Sequence, residues 1–223
     1  MAELRLENIV YRYHGTKKEI LKGVNASFSG GTVSAICGQS GAGKSTLLYL
    51  LSGLDVPTGG KLLLNDTELK KDQLDAYRRH TVATISQSYL LFPTRTALEN
   101  VCYPMQLAKV PKGEAEEMAR AYLNTVGIRD ELHGRLPKKL SGGEQQRVAI
   151  ARCLAANSEI IAADEPTGNL DEKTAQSVMD LLLQLAHEQG NNIIIVTHDR
   201  HIVKRADQRL RLEYGLLSDY DED

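Results

Sequence analysis

Apolar and polar positions divide the chain into three stretches of different period. Over residues 4–13, and again over 20–28, apolar residues alternate loosely with polar ones, as in a half-buried strand. His14 and Gly15 supply a turn between them, so an antiparallel pair is predicted. Residues 32–37 form a short apolar run that ends in glycines. Beyond these, Leu47, Leu48, Leu50, Leu51 and Leu54 recur at helical spacing until Pro57 and Gly59 stop the pattern. Segments 61–64 and 82–85 read as further strands.

The stretch 88–157 changes character. Helical signals dominate, above all at 114–126 and 142–155, with loops expected around Pro93, Pro104, Pro111 and Pro137. Strand-like runs return at 160–163 and 193–196, both continuously apolar, as befits strands covered on two faces by helices. Between them, 172–188 reads as a helix with Val178, Leu181, Leu182 and Leu185 facing a core. Strands alternating with helices predict an α/β fold with a mainly parallel sheet. The opening strands add an antiparallel β-subdomain, and 88–157 an inserted α-helical subdomain. The expected organisation is one domain over 1–223, with a core of 1–87 and 158–223.

Composition limits the partners. The 223 residues suffice for one large domain, and 42% hydrophobic with 25% charged residues is ordinary for a globular protein. A formal net charge of -2 provides no basic field, so no nucleic-acid partner is expected. Asp219, Asp221, Glu222 and Asp223 read as a solvated acidic tail. Cys37, Cys102 and Cys153 are odd in number and lack metal-ligand spacing, which suits a reducing compartment and small core side chains. The first ten residues have no basic segment leading into an apolar one, so no signal peptide is expected. No window approaches ~18 apolar residues, so attachment to a membrane would fall to another chain or to a missing segment.

Chemistry enters at 38–46, GQSGAGKST, which matches G-x-x-x-x-G-K-[ST]. A predicted strand precedes it and a predicted helix follows, the context a phosphate loop requires. Gly38, Gly41 and Gly43, with Ser40 and Ala42, let backbone N–H groups converge on phosphate oxygens at a helix N-terminus. Lys44 is placed to bridge β- and γ-phosphates, and the Ser45 hydroxyl to meet Mg²⁺, with Thr46 beside it. A glycine-rich turn capped by Ser45 is the plainer account, and the strand–loop–helix context weighs against it. The apolar run 160–163 then ends in Asp164 and Glu165. One acid on the metal and one on the attacking water is the division of labour that hydrolysis needs. Ser141, Gly142, Gly143 and Glu144 form a capping box and a second anion-binding helix start. Two such surfaces in one chain suggest a nucleotide shared between two chains.

The phosphate loop, the LSGGEQQR segment at 140–147 and the ADEPTGNLD segment at 163–171, in this order, resemble the ATP-binding-cassette (ABC) ATPase family. The resemblance spans nearly the whole chain. It implies a P-loop NTPase with a RecA-like core and the two subdomains above, binding ATP and Mg²⁺. By resemblance, Tyr13 stacks on adenine, with Tyr11 a nearby competitor. Gln87 is similar to the glutamine that contacts Mg²⁺ and senses the γ-phosphate, alongside Ser45 and Asp164 as metal ligands. Glu165 matches the base, His198 the switch histidine on the γ-phosphate, and Asp171 the acid facing a partner subunit. Glu144 stands where the family's commonest signature has glutamine, leaving Ser141, Gly142 and Gly143 in place.

The implied assembly is a homodimer, or a pair with another ABC subunit, closing over two ATP and driving a transmembrane permease from the cytoplasmic face of the inner membrane. Segment 88–100 resembles the surface that receives a permease, although Tyr89, Leu90, Leu91 and Phe92 equally suit the subdomain's own core. Within the family, the segments at 163–171 and 96–101 are similar to the branch of macrolide exporters, lipoprotein-release ATPases and the cell-division ATPase. Two alternatives stay open: an ATPase transmitting force without moving solute, and a soluble one acting on nucleic acid or ribosomes.

Overall fold

A computed structural model describes residues 2–220, so Asp221, Glu222 and Asp223 of the acidic tail lie outside the described residues. The chain divides into two compact units. The first comprises residues 1–84, 159–165 and 182–223, and the second 85–158 and 166–181.

Two sheets build the first unit. A four-stranded antiparallel sheet has the order β2-β1-β4-β5, from β1 (Leu4–Arg12), β2 (Glu19–Phe28), β4 (Gly59–Leu64) and β5 (Thr67–Glu68). The loose alternation of its first strand has a specific cause. Leu4 and Leu6 are buried, then Ile9 and Tyr11, so the inward phase slips by one residue at Asn8. Asn8 has a φ of 50°, the pairing with β2 shifts register there, and its N–H is taken up by Asn25 Oδ1 at 2.9 Å. This is a β-bulge, in which the extra residue turns the following side chains back to the core. Gly60 crosses it so closely that a Cβ would lie 2.3 Å from the Asn8 carbonyl oxygen.

The second sheet has the order β10-β9-β3-β8-β7-β6. Its centre is β3 (Val33–Cys37), β8 (Asn192–Thr197) and β7 (Ile160–Asp164), paired in parallel. β9 (Gln208–Glu213) adds in parallel to β3, β10 (Leu216–Asp219) returns antiparallel, and β6 (Val82–Ile85) lies at the far edge. β8 is buried along its whole length, which explains its uninterrupted apolar run. Helix α1 (Lys44–Leu51) packs on β7 and β8, burying Leu47, Leu48, Leu50 and Leu51. Leu54 falls three residues beyond its end and is 58% exposed, so the helical pattern runs too far. α2 (Leu74–His80) follows β5; its Tyr77 hydroxyl donates to the Leu51 carbonyl at 2.7 Å. α8 (Arg200–Arg205) joins β8 to β9.

The second unit is helical: α3 (Ala97–Leu107), α4 (Lys112–Thr125), α5 (Asp130–His133) and α6 (Gly142–Ala155), with α3, α4 and α6 packed on one another. Pro104, expected in a loop, lies inside α3. It removes one helical hydrogen bond. Against that loss, Thr96 and Glu99 close a capping box, and Ala97, Val101, Cys102 and Met105 bury one face. Tertiary burial wins over local propensity. α7 (Glu172–Gln189) runs from this unit into the first, burying Val178, Leu181, Leu182 and Leu185 as its spacing predicts. All three cysteines are buried, and none forms a disulfide among the described residues.

Candidate nucleotide site

The register of the parallel strands decides what meets at their carboxyl ends. Cys37 pairs with Thr197, and Asp164 with Val196. The residues that follow, Gly38, His198 and Glu165, therefore emerge along one edge of the sheet, where ligands bind in open α/β folds.

The loop 38–43 departs from β3 under tight steric control. A Cβ on Gly38 would lie 2.2 Å from the Leu212 carbonyl oxygen of β9, so only glycine lets the chain leave the sheet here. Gly41 and Gly43 have φ of 80° and 104°, and Gly43 is the N-cap of α1. No acidic side chain occupies that helix's first turn, so the helix brings no charge of its own against an anion at its N–H groups. Lys44 folds its Nζ back onto the carbonyls of Gly38 at 2.7 Å and Gln39 at 3.1 Å. A pocket of about 230 Å³ opens beside the loop, with Lys18, Ile20, Gln39, Ser40, Gly41 and Ala42 among its walls.

Across the sheet edge, Asp164 is half-buried. Burial holds its carboxyl above the usual range and the neighbouring Glu165 charge pushes the same way, whereas a hydrogen bond with Ser45 and the charge of Lys44 oppose. Two adjacent acids and a serine hydroxyl make an oxygen-rich set that a hard divalent cation would relieve. Among the described residues, no cluster of three or more His, Cys, Asp or Glu side chains forms a protein-only metal cage. The set therefore fits a cation that takes its remaining ligands from phosphate and water. Glu165 sits in the left-handed region at φ 46°, a strained geometry for a side chain with a Cβ. Its Oε1 lies 2.7 Å from His198 Nδ1, and its Oε2 accepts from Thr197 Oγ1 at 3.1 Å.

Of the two aromatic candidates, Tyr11 is buried, its hydroxyl donating to Asp55. Tyr13 is 47% exposed, edge-on to Tyr11, with its hydroxyl 2.8 Å from Thr46 Oγ1.

The remaining sequence-predicted residues belong to the second unit. Ser141 caps α6: its hydroxyl accepts from the Glu144 N–H, and its own N–H donates to Glu144 Oε2 at 2.7 Å. Both glycines behind it lie close against side chains. A Cβ on Gly142 would meet the Tyr89 hydroxyl at 2.9 Å, and one on Gly143 the Thr174 methyl at 2.5 Å. Thr174 is held in turn by Asp171, the residue preceding α7, through its hydroxyl (2.6 Å) and its N–H (3.1 Å), which keeps that carboxyl below its usual range. Gln87 is exposed, and its carbonyl accepts from Asn169 Nδ2 at 3.1 Å. In 89–92, Leu90 is 65% exposed while Phe92 meets Tyr103 edge-to-face, with Arg95 over both rings. The segment thus serves both the surface and its own unit.

The sequence reading did not single out Thr174 or Thr197. For Thr174 the signal was the spacing Asp171–x–x–Thr174 at a helix start. For Thr197 nothing local announces its partner 32 residues away.

A glycine loop opening a helix beside an acid-ended parallel strand defines a nucleotide-binding cassette of the P-loop class. The chain belongs to the ABC transporter family, whose model matches residues 21–168. It is 44% identical over 222 residues to the macrolide export ATP-binding/permease protein MacB of Brucella melitensis, covering 97% of this chain and 34% of that protein. It thus spans about a third of that relative's length. It is 42% identical over 211 residues to the lipoprotein-releasing system ATP-binding protein LolD of Hydrogenovibrio crunogenus, covering 92% of this chain and 90% of that one. Its fold matches a dimeric structure of the ATP-binding cassette MJ0796 in a post-hydrolysis state bound to ADP and Pi, with a TM-score of 0.87 and 34% identity over 99% of this chain and 100% of that one.

Proposed function

We propose that this chain binds and hydrolyses ATP as the nucleotide-binding subunit of an ABC transporter, closing with a second such subunit over two ATP to drive a membrane permease. The reading rests chiefly on the convergence of the phosphate loop, Asp164, Glu165 and His198 at one sheet edge.

The loop N–H groups and Lys44 hold the β- and γ-phosphates; Lys44 trades the carbonyls of Gly38 and Gln39 for phosphate oxygens. Ser45 and Asp164 would hold Mg²⁺; by family resemblance Gln87 is assigned to the same ion. When bound, Mg²⁺ neutralises charge building on the phosphate oxygens. Glu165 orients the attacking water and accepts its proton. His198, 71% exposed, is free to swing from Glu165 toward the γ-phosphate. Tyr13 supplies the ring for adenine, since Tyr11 is committed to the core.

Ser141, Gly142 and Gly143 present the start of α6 to a nucleotide held by the partner copy, and Asp171 faces that partner too. The dimeric state of MJ0796 supports this pairing. No helix among the described residues is long and apolar enough to cross a membrane. By its likeness to MacB and LolD, which also suggest the branch, the subunit works at the inner face of a membrane that holds its permease.

The test is phosphate release from ATP by the purified chain, with Mg²⁺ and with EDTA, beside Lys44→Ala. Each lost hydrogen bond to a charged phosphate is worth about 1.5–3 kcal/mol, so ATP affinity in the variant should fall at least ~10-fold. Unchanged ATP binding by Lys44→Ala, or hydrolysis indifferent to EDTA, defeats the reading.

A further inference from the structure

We propose that Thr197 is a positioning residue for hydrolysis: its hydroxyl fixes the orientation of the Glu165 carboxylate, and continues to do so when His198 departs. This rests on the assignment of Glu165 as the base.

The two groups on that carboxylate differ in kind. His198 Nδ1 holds Oε1 at 2.7 Å, but the histidine side chain is 71% exposed, with no packing to confine it to one rotamer as burial confines Thr197. Thr197 Oγ1 holds Oε2 at 3.1 Å from a residue with no exposed surface, at the end of central strand β8. A buried β-branched side chain has little rotameric freedom. The direction of its hydroxyl is set as well. The Asp199 N–H donates to Thr197 Oγ1 at 3.0 Å, leaving the hydroxyl proton for Glu165.

The backbone around the acid makes such a tether necessary. Glu165 stands at φ 46° just past the strand, its N–H donating to the Val196 carbonyl at 2.9 Å. Its side chain is 14% exposed, so a carboxylate turned away from water would have few alternative partners. A base must present its lone pair within hydrogen-bond reach of the water it activates. If His198 moves to the γ-phosphate during the cycle, Oε1 loses its holder when orientation matters most. Thr197 cannot follow, because its strand is covered on both sides. One oxygen stays fixed while the other is released toward the water.

The experiment compares Thr197→Val, which keeps the shape and loses the hydroxyl, with Thr197→Ser, which keeps the hydroxyl, in the full chain. Thr197→Val should lower kcat about 10-fold, equivalent to ~1.4 kcal/mol on the barrier, with KM for ATP changed less than about two-fold. Thr197→Ser should recover most of that loss. In a Glu165→Gln background Thr197→Val should have no further effect, and a crystal structure of Thr197→Val should show the Glu165 carboxylate rotated from its place. A wild-type kcat in Thr197→Val overturns the proposal. So does equal loss in the serine and valine variants, which would mark a packing role, or an unmoved carboxylate. Failure of Glu165 as base is seen separately, as normal hydrolysis by the single Glu165→Gln variant.

Discussion

Replacing Glu165 by glutamine isolates the chemical step from binding. The amide keeps the volume and can still accept from Thr197 Oγ1, now 3.1 Å from Oε2, so the local fold should persist. It loses the basicity that would take up a proton from water. Positioned general bases contribute roughly 10²–10⁴-fold, equivalent to ~2.7–5.5 kcal/mol on the activation barrier. Binding should barely change, because Glu165 is not among the groups assigned to the phosphates and meets His198 and Thr197 instead. The variant should therefore bind ATP within about three-fold of wild type by calorimetry while its single-turnover phosphate release falls at least ~100-fold. With contacts to the γ-phosphate preserved, it should also accumulate as an ATP-bound dimer in light scattering after size exclusion. Hydrolysis at the normal rate would refute the assignment. Equal losses of binding and turnover would mean that the residue shapes the site and does not act as its base.

Three further outcomes follow from the same geometry. Asp164→Asn removes a half-buried charge beside Glu165; it should raise the Tm of the nucleotide-free chain while abolishing Mg²⁺-dependent hydrolysis, and an unchanged or lower Tm would contradict the account of strain at that pair. Gly38→Ala drives a Cβ to 2.2 Å from the Leu212 carbonyl oxygen, backbone that cannot yield like a side chain; urea denaturation should show a loss of about 3 kcal/mol with unchanged m-value. Tyr11, hydrogen-bonded to Asp55, has its pKa pushed up to about 12 by that carboxylate, and a folded pKa above the unfolded one gives stability present below pH ~10 that is lost as pH rises toward ~12. Tyr11→Phe should flatten that alkaline limb in thermal melts, and an identical limb in both proteins would count against the Asp55 bond.

How legible the site was in the sequence depended on how far apart its working parts lie along the chain. The candidate phosphate loop is contiguous, and its glycines answer constraints felt within a few residues, so pattern and local geometry coincide. The same is true of Ser141 and Glu144, whose capping box is a four-residue event. Where a role is created by the fold, the pattern goes quiet. Asn8 interrupts the alternation of β1 because Gly60 crosses it from another strand; neither residue reports this alone. Pro104 signals a loop on local rules and stands in a helix because a buried face and a capping box outweigh one missing hydrogen bond. No element was predicted over 200–219, where α8, β9 and β10 are short and carry charged residues among the apolar ones. Thr197 shows the limit most sharply. It lies beside a histidine that sequence reasoning marked, yet its partner is an acid brought in by the parallel register of β7 and β8. Sequence reveals groups that act on the ligand directly, because ligand chemistry constrains the residue type. Groups that act on those groups are constrained by packing geometry, and appear only when the strands are aligned.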